Sequence, residues 1–346
     1  MMTLKQGNLL EAKVEALVNT VNCVGIMGKG IALQFKQAFP ANYEAYAKAC
    51  RHDEVRIGRM FVYETGDMFY PKYIINFPTK RHWKAKSRIE DIEVGLIELI
   101  KVIRKHEINS IALPPLGSGL GGLDWEEVKR RIIKAFEAVP RVEVWLYEPM
   151  GSPKSDQITI RTEKPKMTRA RALLIRLLDI YRKQGYRHSL LEIQKLTYFL
   201  QAAGENLRLN FDRLHYGPYA ENLNHVLQKL DGHYIRGYGD RSGKSEIYLL
   251  EGAIEEAKKF LEHDDDANAR LEKIAGVIQG FETPYGMELL STVLWVANET
   301  PNVKGDAVEA VEKVQEWSLR KKFRMQPQHI RKAWDRLRRA DWLKAA

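Results

Sequence analysis

The sequence predicts an α/β layered domain, a mixed sheet flanked by helices, followed by a mainly helical domain that carries a small β-hairpin. Three observations lead there. Short β-branched and apolar stretches alternate with helix-period stretches through the first 150 residues. A polar stretch broken by Pro and Gly comes next, and helical periodicity dominates from there on. With 346 residues, 45% of them hydrophobic, the chain is too long for one ordinary core and too apolar to be disordered.

Val14–Val18, Met60–Tyr63, Tyr73–Phe77, Ser110–Leu113 and Val142–Tyr147 read as buried strands. In Ser87–His106 the apolar residues Ile89, Ile92, Leu96, Leu99 and Ile103 step by threes and fours, and Ser87-Arg88-Ile89-Glu90 reads as a capping box. Asp124-Trp125-Glu126-Glu127 opens a second helix in the same way, ahead of Val128, Ile132 and Phe136, with Asp124 as its N-cap. Pro149, Gly151, Ser152, Pro153 and Pro165 interrupt Glu148–Thr168, which sets domains of 1–150 and 169–346 about a linker of 151–168. Helices are expected at Arg169–Gly185, Ser189–Asn206, Tyr219–Leu230, Gly252–Glu262, Ala267–Phe281, Tyr285–Asn298, Asp306–Lys322 and Pro327–Leu343. Ser189 through Glu192 is another capping box, and a hairpin runs from His233–Gly239 to Glu246–Leu250. The acidic run Asp264–Asp266 reads as a solvated inter-helix loop.

Lys and Arg number 55 against 45 Asp and Glu, and the resulting +10 favours polyanionic partners without naming one. Two cysteines, Cys23 and Cys50, make neither a disulfide framework nor a four-cysteine zinc site. No His-x-x-x-His, Cys-x-x-Cys or EF-hand spacing occurs, so no metal and no cofactor is expected. No apolar run is long enough to span a bilayer and Met1–Asn8 holds no signal-peptide core, so the expectation is a cytoplasmic protein without a membrane partner.

Three loops follow strands, at the sheet edge where α/β domains bind ligands. Asn19 through Ala32 has glycines at 25, 28 and 30 ahead of a helix, and Pro114 through Leu123 has glycines at 117, 119, 121 and 122 ahead of another. Such turns let backbone N–H groups approach an anion, although they also serve as plain tight turns. Neither fits the P-loop or the dinucleotide fingerprint. The third, Asn76 through Lys84, carries Lys80, Arg81 and Lys84 around His82 and Trp83, and reads either as a ligand loop or as a solvated charge run.

Gly7-Asn8-Leu9-Leu10, Val18-Asn19-Thr20-Val21-Asn22, the Gly28–Ala32 turn and Pro114–Gly122 together resemble the macrodomain, an ADP-ribose-binding family. With Asn76-Phe77-Pro78-Thr79-Lys80 and a helical second domain, the chain resembles the branch of macrodomain DNA ADP-ribosyl glycohydrolases that act as antitoxins. Their partner toxin, DarT, ADP-ribosylates thymidine in single-stranded DNA. Glu192 through Phe199 and His215 through Tyr219 resemble helical antitoxin-associated domains.

That resemblance implies roles residue by residue. Asn8 and Leu9 lie at the adenine end. Gly28, Lys29, Gly30 and Ile31 pass the diphosphate on one side, and Pro115, Gly117, Ser118, Gly119, Leu120, Gly121 and Gly122 pass it on the other. Asn22 bonds the distal ribose and Lys80 reaches the same sugar, the pair being the catalytic residues. A related human hydrolase type has an acidic residue where Gly121 stands here, and Asp124 is assigned to capping. Lys80 serves either as an ammonium that stabilises the departing base or as an amine that attacks the sugar. Arg81, Lys84 and Lys86 would favour the amine if they converge on it. Arg81, His82, Trp83 and Lys84 are candidate DNA contacts, through phosphates and base stacking. Cys23 has no nearby base and reads as a buried thiol. For the second domain the resemblance implies binding of DarT. DNA binding, suggested by Arg169, Arg171, Arg176, Arg182 and Lys183 on one helix and Arg331, Lys332, Arg336, Arg338 and Arg339 on another, ranks second, and a purely structural role third. Two rival functions remain: a reader that binds ADP-ribose without turnover, and a hydrolase of ADP-ribosylated protein side chains.

Overall fold

The computed structural model describes residues 1–149, 151, 153–181 and 186–343. Met150 and Ser152 of the expected linker region, and Arg182 and Lys183 of the first basic helix, lie outside the described residues. Two compact units result: Met1–Glu163 with Gly239–Gly243, and Lys164–Tyr238 with Lys244–Ala346.

The first unit is a six-stranded mixed sheet flanked by helices, as the alternation in the sequence predicts. Its strands are β1 (Met2–Lys5), β2 (Ala16–Asn22), β3 (Phe61–Glu64), β4 (Tyr73–Lys80), β5 (Ser110–Leu113) and β6 (Glu143–Tyr147), in the order β1-β6-β5-β2-β4-β3. Every neighbouring pair is parallel except β3 on β4. The helices are α1 (Gly30–Ala38), α2 (Pro40–Arg51), α3 (Ile89–Lys105) and α4 (Trp125–Phe136). Ala16, Leu17 and Val18 are fully buried because β2 has a strand on each side and helices over its faces, which is why it reads as a continuous apolar run. The α3 stripe Ile92, Leu96, Leu99 and Ile103 packs on Ile75, Phe77 and Ile111, each such side chain contributing about 1.5–3 kcal/mol. At Gly95 a Cβ would lie 2.2 Å from the Phe77 ring, so only glycine lets α3 seat this closely.

Three local expectations change. β1 is an added edge strand, short and half-buried, without the apolar run that marks the others. β2 and β4 extend past Val18 and Phe77 to Asn22 and Lys80, polar residues that resemble turn sequence but are held in the ladder. The capping box at Ser87 does not form: Arg88 is the N-cap without a side-chain bond, and Ser87 N donates instead to Gly121 O at 3.1 Å. Asp124 does cap α4, accepting from Glu127 N at 2.8 Å.

The second unit is mainly helical, with α5 (Arg169–Tyr181), α6 (Leu190–Ala202), α7 (Leu223–Leu230), α8 (Ala253–Phe260), α9 (Asp265–Ile278), α10 (Pro284–Glu299), α11 (Ala307–Glu316), α12 (Leu319–Arg324) and α13 (Pro327–Arg339). α6 and α10 are its most buried helices, and the Ser189 capping box forms with both bonds. The expected hairpin shrinks to β9 (Ile235–Arg236) against β10 (Tyr248–Leu249). A second ribbon, β7 (Phe211–Leu214) with β8 (Gly217–Ala220), occupies sequence read partly as helix, because Gly217 takes φ +95° at the turn. The expected Asp306–Lys322 helix breaks at Trp317–Ser318, where Ser318 caps α12 through Lys321 N. The acidic run is not merely solvated: Asp264 caps α9, and Asp264, Asp266 and Glu205 share Arg169. Among the described residues no helix is long and apolar enough to cross a membrane.

Candidate functional site

β2, β4 and β5 run parallel, so the loops that follow them leave one edge of the sheet. A register shift between Val21 and Asn22 sets Asn22 opposite Lys80 at the ends of adjacent strands. Below them a buried amide chain pins the two strands and α2. Asn19 Nδ2 donates to Asn76 Oδ1 at 3.0 Å, and Asn76 Nδ2 donates to Asn42 Oδ1 at 2.7 Å, all three side chains being fully buried. Unpaired, such amides would cost ~1–3 kcal/mol apiece.

Asn22 folds its own loop. Its Oδ1 accepts from Val24 N at 3.0 Å and Ile26 N at 3.3 Å, and its Nδ2 donates to Ile26 O at 2.6 Å. Tyr46, on α2, donates to Asn22 O at 2.5 Å. Sequence reasoning missed Asn42 and Tyr46; their one signal is i, i+4 spacing on a helix that otherwise has a weak apolar stripe.

Lys80 reaches from the end of β4 to the glycine loop after β5, its Nζ donating to Leu120 O at 2.6 Å. Burial draws its pKa below the ordinary lysine value. The neighbouring cations are not the cause: Arg81 turns away to Asp91 Oδ1 at 2.9 Å, and Lys84 lies over the Trp83 ring at 5.0 Å. His82 and half-exposed Trp83 form a ring pair 5.5 Å apart beside Lys84, and Arg81, although paired with Asp91, stays exposed on the same loop.

In the loop 114–123, Ser118 N bonds Pro115 O, Gly122 N bonds Gly119 O and Leu123 N bonds Gly117 O, while Gly117 and Gly122 take φ +69° and +81°. The amides of Gly119, Leu120 and Gly121 donate to nothing among the described residues, and such a run of free N–H groups is suited to an anion. Gly121 has no room for any side chain: a Cβ there would lie 2.1 Å from Gly117 O and 2.3 Å from Ser87 Oγ.

The opposing turn meets this loop, since a Cβ on Gly30 would lie 3.4 Å from Leu120 Cδ1. Lys29 is the extended N-cap of α1 and is exposed, Gly28 and Ile31 are partly exposed, and Gly30 takes φ +58°. The Gly30 amide, expected to face the diphosphate, donates to Asp240 O at 2.9 Å, while Gln34 Nε2 donates to Asp240 Oδ2 at 2.6 Å. Asn8 caps a short 3-10 turn, accepting from Leu10 N at 3.1 Å. Leu9 is core, packed with Leu17, Phe35 and Ile74, so its side chain shapes the wall from beneath.

Cys23 bonds Lys80 O at 3.4 Å, and burial, with Cys50 nearby, pushes its pKa up to about 11, which leaves it a poor nucleophile. Among the described residues no group of three or more His, Cys, Asp or Glu is placed to hold a metal ion.

A mixed sheet with two opposed glycine loops and a lysine at its C-terminal edge defines a macrodomain, and the Macro domain family profile matches residues 18–132. The chain is 52% identical over 321 residues to the DNA ADP-ribosyl glycohydrolase of Thermus aquaticus, covering 93% of this chain and 89% of that one. It belongs to the DNA ADP-ribosyl glycohydrolase family of hydrolases. It is also 35% identical over 142 residues, 37% of each chain, to a DNA ADP-ribosyl transferase–DNA ADP-ribosyl glycohydrolase fusion protein of Thermosipho africanus. Among solved structures, the macrodomain of Thermus aquaticus DarG shares 61% identity and a TM-score of 0.42, covering 43% of this chain and 99% of that one.

Proposed function

We propose that this chain cleaves the N-glycosidic bond between ADP-ribose and thymidine in single-stranded DNA, and that residues 169–346 bind the toxin DarT that installs the modification. Lys80 carries the reading. A half-buried amine held between two glycine loops, one strand across from Asn22, serves no purpose in a protein that only reads ADP-ribose. Fusion of a transferase to a glycohydrolase in the Thermosipho relative supports the pairing with a toxin. Work on DNA of this kind belongs in the cytoplasm.

In this reading the diphosphate lies between Gly28–Ile31 and Ser118–Gly122, where the free amides of Gly119, Leu120 and Gly121 offset its charge. Asn22 and Lys80 meet the distal ribose. Burial favours the neutral amine of Lys80, whose lone pair attacks C1 of the opened ribose. The ring opens as its oxygen leaves C1 and takes up a proton, the amine adds to C1, and the thymine nitrogen then leaves with the electron pair of the glycosidic bond, taking the proton that the amine gives up. Water then hydrolyses the lysine imine, which frees ADP-ribose and restores the amine. No carboxylate stands at position 121 to assist, and Asp124 is committed to its cap.

The test is an oligonucleotide carrying ADP-ribose on thymidine, incubated with the full chain and followed by gel mobility. Wild type releases the nucleotide with or without a chelator. Lys80→Ala loses release by about a thousandfold, the scale set for a removed nucleophile or oxyanion donor, yet still binds ADP-ribose. Unchanged turnover in that variant overturns the role of Lys80, and tight binding without release by wild type makes the domain a reader. Co-purification of the full chain with the toxin tests the second half of the reading.

A further inference from the structure

The second unit presents a surface of exposed rings, alkyl groups and cations at one turn and one short helix. β7 ends at Leu214, and the turn to β8 holds Tyr216, while α12 follows the break at Ser318. Trp317 Nε1 donates to Leu214 O at 3.0 Å and the Arg320 guanidinium lies 4.5 Å from the Tyr216 ring centre, so the turn and the helix form one continuous face. On it Leu319 and Phe323, four residues apart on α12, are each 76% exposed, and Tyr216 is 50% exposed. Lys321 points the other way and is fully buried against Glu288 and Thr292, which fixes the outward face of the helix.

Glu288, buried beneath this face, is already shared by Arg320 and Lys321. Among the described residues no acidic side chain pairs with Lys322 or Arg324, and Arg213 lies over the Trp317 ring at 4.4 Å without an acidic partner. Exposed rings and alkyl groups set among unpaired cations match a strand that offers both negative phosphates and unstacked bases. Of the basic residues read from the sequence, Arg169 and Arg176 sit in ion pairs, and Arg336 bonds the carbonyls of Gly276 and Gln279.

We propose that the face formed by Arg213, Tyr216, Leu319, Lys322, Phe323 and Arg324 binds single-stranded DNA, with bases on Tyr216 and Phe323 and phosphates on the three cations. It is a second contact with nucleic acid, separate from the cleft around Lys80, and it takes unmodified strand.

Fluorescence anisotropy with an unmodified twenty-nucleotide thymidine strand and the full chain tests it, because that probe carries no ADP-ribose and leaves the chemistry of the cleft out of the readout. The double variant Tyr216→Ala/Phe323→Ala is expected to weaken binding about tenfold or more, as removed stacking platforms do. Lys322→Glu/Arg324→Glu is expected to reduce the salt slope of log Kd by about 1.4. All the altered side chains are exposed or sit on a turn, and an unchanged Tm verifies the fold. Two results overturn the proposal: wild-type DNA affinity in both variants, or no DNA binding by the full chain. Loss of association with the toxin in these variants, with DNA binding intact, also overturns it and makes the face a protein interface.

Discussion

Lys80 owes its setting to the place where β4 stops. One residue earlier its amine would fall on the other face of the strand, and the bond to Leu120 O could not form. Asp124 supplies the contrasting case, a carboxylate near the site whose work is structural. Asp124→Ala is expected to lower stability by about 1 kcal/mol in chemical denaturation, the usual loss of an N-cap, while release from modified DNA continues at close to the wild-type rate. A hundredfold loss of turnover in that variant would instead make Asp124 a participant in the chemistry. The sequence pointed to Lys80 and Asn22 through motif and order. That Asn22 spends both amide atoms on its own loop was not legible there, because an Asx turn and a sugar contact ask for the same residue.

Among elements, the loop 114–123 is the most tightly specified. Gly121 is pressed between Gly117 O and Ser87, and the Ser87 amide bonds back to Gly121 O. Gly121→Ala is expected to rebuild the loop and weaken ADP-ribose binding at least tenfold, measured by calorimetry, with Tm lowered in the same variant. This contact also explains why the Ser87 capping box was misleading: the pattern Ser-x-x-Glu is present, but the glycine loop takes the serine's backbone before the helix does. Strands with a continuous apolar run, such as β5, were legible, whereas β1 was not, since a four-residue edge strand needs only ladder bonds to β6 and little apolar surface. The break between α11 and α12 was hidden because apolar periodicity carries straight through it.

At the scale of the molecule, each unit has its own core, and the second builds its core around charge as well as apolar side chains. Lys195 is fully buried, its Nζ donating to Pro218 O at 2.6 Å. Burial first, and Lys321 second, draw its pKa down to about 7, against the partial compensation of Glu288. In the unfolded chain the same lysine titrates near 10.4. Between those values the unfolded state holds the extra proton, so stability from this group rises with pH and is least below pH 7. Comparing Tm at pH 7 and 9.5 for wild type and Lys195→Met tests this; wild type is expected to gain on the order of 5 °C relative to the variant. Equal pH dependence in the two proteins would refute the assignment. Nothing in composition separates a buried lysine from a solvated one, so this feature belongs wholly to the fold.

Asp240 adds a matter of timing. It closes the start of α1 from 206 positions downstream of Gln34. A chain leaving the ribosome at about 5–20 residues per second carries α1 for on the order of ten seconds or more before its partner has been made. The sheet and its glycine loops are therefore assembled first with one helix end open to water, and that end is sealed only after much of the helical unit has been synthesised. In the newborn protein, then, the edge of the sheet that carries the glycine loops is begun early and is one of the last regions to be completed.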